Sequence, residues 1–96
     1  MSTLFTISKS PAGKLLGACL RTASEGDCLL FIEDGVYHGS SEKALAGIPE
    51  SIHVYCLKED LMARGLAEKL QDRVQTASYR QFVQLCTEYN KVVSWF

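Results

Sequence analysis

Cys28, Leu29, Leu30, Phe31 and Ile32 form a short unbroken apolar run, closed by Gly26-Asp27 before it and Asp34-Gly35 after it. Five residues amount to little more than one helical turn, so the run reads as a strand. A strand with no polar face has to be covered on both sides, the situation of a parallel sheet flanked by helices. The remaining segments arrange themselves around it.

Residues 3–8 alternate well enough for a first strand. Ser10 suits a helix N-cap and Pro11 the first helical position, where a missing N–H costs nothing. A first helix is therefore expected from Pro11 to Ala23 or Ser24, with Ala12, Leu15, Leu16, Cys19, Leu20 and Ala23 on its apolar face. Glu25-Gly26-Asp27 ends it and feeds the central strand. Val36, Tyr37, His38 and Gly39 read as a loop. Ser40 or Ser41 caps a short helix through Ala46, with Gly47 at its exit. A third strand is expected over 52–57, then an acidic break at Lys58-Glu59-Asp60. Residues 61–70 are expected to be helical in part, weakened by Gly65. Residues 73–76 make a weak fourth strand. Ser78 caps a last helix to Tyr89, its buried face being Tyr79, Phe82, Val83, Leu85, Cys86 and Tyr89, and Asn90 closes it. Residues 92–96 make a fifth strand.

Strands thus alternate with helices, which implies parallel β-α-β crossovers. The expected fold is an α/β three-layer sandwich with a small, mostly parallel sheet of four to five strands. At 96 residues it is one domain, residues 1–96. The 47% hydrophobic and 22% charged content belongs to a packed globule rather than a disordered chain. A formal net charge of −1 offers no field for a polyanion, so direct nucleic-acid binding is not expected. No apolar run approaches the ~20 residues of a membrane span. The N-terminus lacks the basic and apolar regions of a signal peptide, so the expected location is cytoplasmic.

Ligands of open α/β sheets bind beyond the carboxyl ends of the strands. Here two of those ends carry Glu33-Asp34 and Glu59-Asp60, which would repel a phosphate, and no glycine-rich phosphate loop is present. Clustered acids would suit Mg²⁺, but that reading wants a complete acidic pocket and a well-placed lysine, and solvated turn acids or charges facing a partner are the stronger reading. His38 and His53 are too few for a metal centre, although His38 lies just beyond the central strand. No cofactor is expected. The four cysteines Cys19, Cys28, Cys56 and Cys86 form no Cys-x-x-Cys pair, which argues against zinc and against a thioredoxin-type centre. Each sits in an apolar stretch, as cysteine does when it serves as a small hydrophobe. A sulfur-carrying thiol must be ionised and reachable. Cys19 is the remaining catalytic candidate, and by periodicity it falls on the same stripe as Leu15 and Ala23.

Leu4 to Pro11, Glu25-Gly26-Asp27 with the strand to Val36, Val54 to Leu66, and Tyr79, Phe82-Val83 and Trp95 in the tail occur together in an order that resembles the TusB/DsrH family of sulfur-relay subunits. The resemblance covers nearly the whole chain. It implies a DsrE/DsrF/DsrH-like fold and a place as the smallest subunit of a heterohexamer with TusC-like and TusD-like (or DsrF-like and DsrE-like) partners. Such complexes take persulfide sulfur from a TusA-like donor and pass it to a TusE/DsrC-like acceptor. The outcome is 2-thiouridine at the tRNA wobble position, or sulfur oxidation in the Dsr branch. The principal persulfide cysteine lies on the TusD/DsrE subunit. Cys19 coincides with a first-helix cysteine of DsrH-type members, which some TusB members lack.

The resulting expectation is a subunit whose main task is assembly, an accessory part of a sulfurtransferase complex rather than an enzyme alone. Tyr37, His38, Asp60, Arg64 and Trp95 are the expected interface residues. The rival is a stand-alone persulfide carrier using Cys19.

Overall fold

The computed structural model describes residues 2–11 and 14–95. Its sheet has five strands, all parallel, in the order β4-β3-β2-β1-β5. They are β1 (Thr3–Ile7), β2 (Cys28–Phe31), β3 (His53–Leu57), β4 (Gln75–Ala77) and β5 (Lys91–Trp95). β2 is the middle strand, and all four of its residues are buried. The apolar run is therefore explained by its place in the sheet, with strand neighbours at both edges and helices on both faces.

Alternation along the strands divides the core. Phe5, Ile7, Leu29, Phe31, Val54 and Cys56 point to one face. There they meet α1 (Leu15–Leu20), a 3-10 segment (Glu33–Ser40), α2 (Glu42–Ala46) and α3 (Lys58–Ala63) through Leu16, Cys19, Val36, Leu45 and Leu61. Leu4, Cys28, Leu30 and Ala77 point to the other, under Phe82, Leu85 and Cys86 of α4 (Tyr79–Glu88) and Tyr89 just after it. Three layers result, as the alternation of elements implies.

Several boundaries differ from the expected ones. α1 is only six residues long and starts after Lys14, without a side-chain cap; Ser10 and Pro11 precede it. Gly17 weakens it, and a helix this short is stable only through the packing of Leu16 and Cys19. The expected Ala12 on its apolar face and Phe96 in β5 lie outside the described residues. Residues 36–39 are not loop but part of the 3-10 segment. Lys58-Glu59-Asp60 does not break the chain: it is the first turn of α3, where carboxylates favour the helix dipole. Gly65, at φ +67, is the stop after that helix rather than a weak point inside it. β4 begins two residues later than expected.

Two caps match their residues. The Ser41 hydroxyl accepts the Ala44 N–H at 3.1 Å. Ser78 and Gln81 form a reciprocal capping box at 3.2 and 2.8 Å. The expected buried face of α4 is only half right, because Tyr79 and Val83 are exposed while Phe82, Leu85, Cys86 and Tyr89 are half-buried.

Candidate functional site

The carboxyl ends of β2 and β3 bring four acidic residues close together. Glu33 opens the 3-10 segment in left-handed backbone, φ +50, and its N–H donates to Asp60 Oδ2 at 2.6 Å. Arg64 stands between the two acidic pairs: Nε donates to Asp34 Oδ1 at 3.1 Å, and a terminal nitrogen lies 3.7 Å from Asp60 Oδ1. The i,i+4 pair Asp60–Arg64, visible in the sequence, is thus extended to Asp34 on another segment. Glu59 takes a different partner, accepting the Tyr79 N–H at 3.1 Å and holding the start of α4 against α3.

These contacts give Asp34, Glu59 and Asp60 partners without a metal ion. Asp34 and Asp60 face a guanidinium, and no group of three or more His, Cys, Asp or Glu among the described residues is arranged to hold a metal. Beside them lies a cavity of about 210 Å³ whose lining includes Ile32, Leu57 and Phe82 with Glu33 and Glu59. A larger depression of about 620 Å³ lies at the opposite side, along Leu45, Ile48, Pro49 and Arg73. Both terminal nitrogens of Arg73 are engaged there, donating to the carbonyls of Leu45, Ile48, Pro49 and Ile52.

Cys19 is where periodicity put it, on the buried side of α1, with no exposed surface. Burial, followed by the negative charge of Asp27, pushes its thiol up to about 11. At neutral pH it is protonated and unreachable, the reverse of what sulfur transfer needs. Burial also raises Cys28 to about 11 and Cys56 to about 12. Cys86, half-buried on α4, is the one thiol with surface to offer.

His38 is buried, which corrects its expected place at an interface. Its ring stacks on Phe31 at 4.8 Å, and Nε2 lies 3.0 Å from the Lys9 carbonyl. Burial lowers its pKa despite that hydrogen bond, so the ring is neutral and serves the core. Tyr37 on the same segment is 40% exposed. Trp95 is half-buried on edge strand β5 and packs on the larger core. The expected surface residues therefore do not make one patch: Asp60 and Arg64 meet, while Trp95 closes the far side of the sheet. Sequence reading missed Asp34 as their third member and Glu59 as the partner of α4, since both links join distant segments.

The profile of a family described as "DsrH like protein" matches residues 9–92. The chain belongs to this family. It is 34% identical to "Protein TusB" of Pectobacterium parmentieri and 36% identical to that of Serratia proteamaculans, in each case over 96% of this chain and 99% of the relative. Among solved structures it is similar to the YchN protein of E. coli, with a TM-score of 0.79 at 16% identity over 98% of this chain and 97% of that one. Protein Tm0979 of Thermotoga maritima gives 0.69 at 24% identity over 90% and 92%. At such identities the structural likeness speaks for the fold alone. For a DsrH-like protein, the site just described contains no reachable, ionised thiol from α1. No helix among the described residues is long and apolar enough to cross a membrane.

Proposed function

We propose that this DsrH-like chain is the small assembly subunit of a cytoplasmic sulfur-relay complex. Its partners are TusC-like and TusD-like subunits, and the complex passes persulfide sulfur from a TusA-like donor to a TusE/DsrC-like acceptor for 2-thiolation of the tRNA wobble uridine. Kinship with proteins called TusB over nearly the full chain supports the pathway. The observation that carries the division of labour is Cys19, which has no exposed surface and a thiol raised to about 11. A thiolate that attacks the outer sulfur of a donor persulfide has to be formed and reached first.

Co-expression with the TusC-like and TusD-like subunits of the same organism tests the assembly role. A stoichiometric complex on size exclusion is expected, with sulfur transfer retained when Cys19 is replaced by alanine. A chain that stays alone at micromolar concentration, or one that repeatedly transfers persulfide without companions, defeats the proposal. The second reading, a subunit serving sulfur oxidation, is favoured by the DsrH-like family match and by the presence of Cys19. Loss of tRNA 2-thiouridine on deleting the gene decides for the first, and loss of sulfur oxidation with intact tRNA for the second.

A further inference from the structure

The two faces of the sheet are covered unequally. α1, the 3-10 segment, α2 and α3 pack on one face, whereas α4 alone covers the other and none of its ten residues is fully buried. A helix is about 10–12 Å across and five strands at about 4.8 Å spacing span roughly twice that. Apolar side chains left outside occur in the first turns of α4 and on α3. Tyr79 is 61% exposed, Val83 one turn later 56%, and Met62 of α3 63%, making three of the five large hydrophobic residues exposed in the described structure. Met62 shares a helix face with Glu59 three residues earlier, and Glu59 holds the Tyr79 amide.

Tyr79 borders the cavity of about 210 Å³, whose apolar lining also includes Ile32, Leu57 and Phe82. Phe82 meets Tyr79 edge to face, centroids 6.0 Å apart. Among the described residues, the charged ones lining the cavity are Glu33, Glu59 and Asp60, and none of these is a cation. Asp60 is matched by Arg64, while Glu33 and Glu59 make no ion pair among the described residues. Lys58 and Arg80 are exposed sequence neighbours that do not line it.

We propose that this surface docks a partner subunit of the relay complex through a segment that carries a lysine or arginine beside aliphatic residues. Its cationic head sits between Glu33 and Glu59. Its stem lies along Phe82 and Tyr79, and its aliphatic neighbours cover Met62 and Val83. Charge complementarity selects the occupant: long basic side chains cover apolar surface while keeping their charge at the rim, and a cation gains further from an aromatic face. An exposed tyrosine beside such a cavity is the type of residue that often dominates binding energy. The inference rests on the relay-subunit reading.

The test titrates co-purified TusC-like and TusD-like subunits onto this chain at low and high salt. The variants are Glu33→Gln with Glu59→Gln, Tyr79→Ala, and Glu68→Gln as an exposed acid that does not line the cavity. Gln at 59 keeps an oxygen for the Tyr79 amide, and thermal melting checks that each variant is folded. The double charge variant is expected to bind about tenfold more weakly at low salt and to lose most of its salt dependence. Tyr79→Ala is expected to lose about tenfold or more at either salt, and Glu68→Gln nothing. If the wild-type chain binds and the patch variants bind as well as it does, the docking surface is wrong and the relay reading stands. If the wild-type chain binds nothing, the relay reading fails and takes the docking surface with it. Self-association of the isolated chain that Tyr79→Ala abolishes, with binding of the other subunits unchanged, makes a second copy the occupant and overturns the proposal.

Discussion

The Glu33 N–H donates to Asp60 Oδ2 at 2.6 Å, so the exit of β2 is fastened to the first turn of α3. Glu33 pays for this with left-handed backbone, φ +50, which a residue with a Cβ adopts at a cost of roughly 1 kcal/mol. Its side chain makes no hydrogen bond in return among the described residues. The strain is held by Asp60 and by Gly35, whose N–H donates to the Ile32 carbonyl at 2.8 Å. Asp60→Ala is therefore expected to destabilise the chain by about 1–3 kcal/mol, through loss of the acceptor and of the Arg64 pair. Glu33→Gly relieves the dihedral and is expected to leave stability unchanged or raise it by up to about 1 kcal/mol. Urea unfolding of the two variants checks the opposite signs.

Gly35 has no such freedom in the other direction. A Cβ there would overlap the Ile7 carbonyl, which is backbone of β1 and cannot give way. Gly35→Ala is expected to cost more than about 3 kcal/mol, seen as insoluble expression or a large fall in the urea midpoint. Gly17→Ala, with nothing within 4 Å of its added Cβ, is the contrasting case. It should stabilise α1 by about 0.5–1 kcal/mol.

The layer architecture was legible because β2 carries its burial in its composition, and because Ser41 and Ser78 stand where caps belong. Helix ends were less so. Glu59 and Asp60 read as a break because acids often line turns, yet at a helix start the same charges are favourable. Tyr79 and Val83 fit the apolar stripe of α4 by spacing, but periodicity says nothing of how much sheet lies beneath. Asp34–Arg64 spans 30 residues of sequence, beyond any local pattern. Cys19 was legible as a core residue from its stripe, and its burial agrees with the chain's own periodicity.

Arg73 holds together a segment with little secondary structure. One of its terminal nitrogens donates to Leu45 O at 3.3 Å and Ile48 O at 2.6 Å; the other donates to Pro49 O and, at 3.0 Å, to Ile52 O. A guanidinium can serve four carbonyls because its donors are fixed in one plane, and an ammonium has three donors at a single point. Arg73→Lys is expected to cost about 1–3 kcal/mol and Arg73→Ala more, since carbonyls at the turn between α2 and β3 would lose their partner. Hydrogen exchange should show the loosening first at the Ile52 and His53 amides, with the β1–β2 pairing protected.

Cys19, Cys28 and Cys56 should make the fold sensitive to alkali. An ordinary thiol ionises near 9.0, whereas burial, with Asp27 adding to it at Cys19, moves the native values to about 11, 11 and 12. Between those limits the unfolded chain releases protons that the native chain retains. Their contribution is therefore whole below about pH 9 and is lost as pH rises through 11. For Cys19, a shift of this size corresponds to on the order of 3 kcal/mol. Denaturant midpoints measured from pH 7.5 to 11 should fall steadily above 9, and Cys19→Ala should flatten part of that decline. In the native protein at neutral pH, iodoacetamide should label Cys86 well before the other three, which should react only as the chain unfolds. Rapid labelling of Cys19 in the folded chain would contradict both its burial and the assembly role assigned to this subunit.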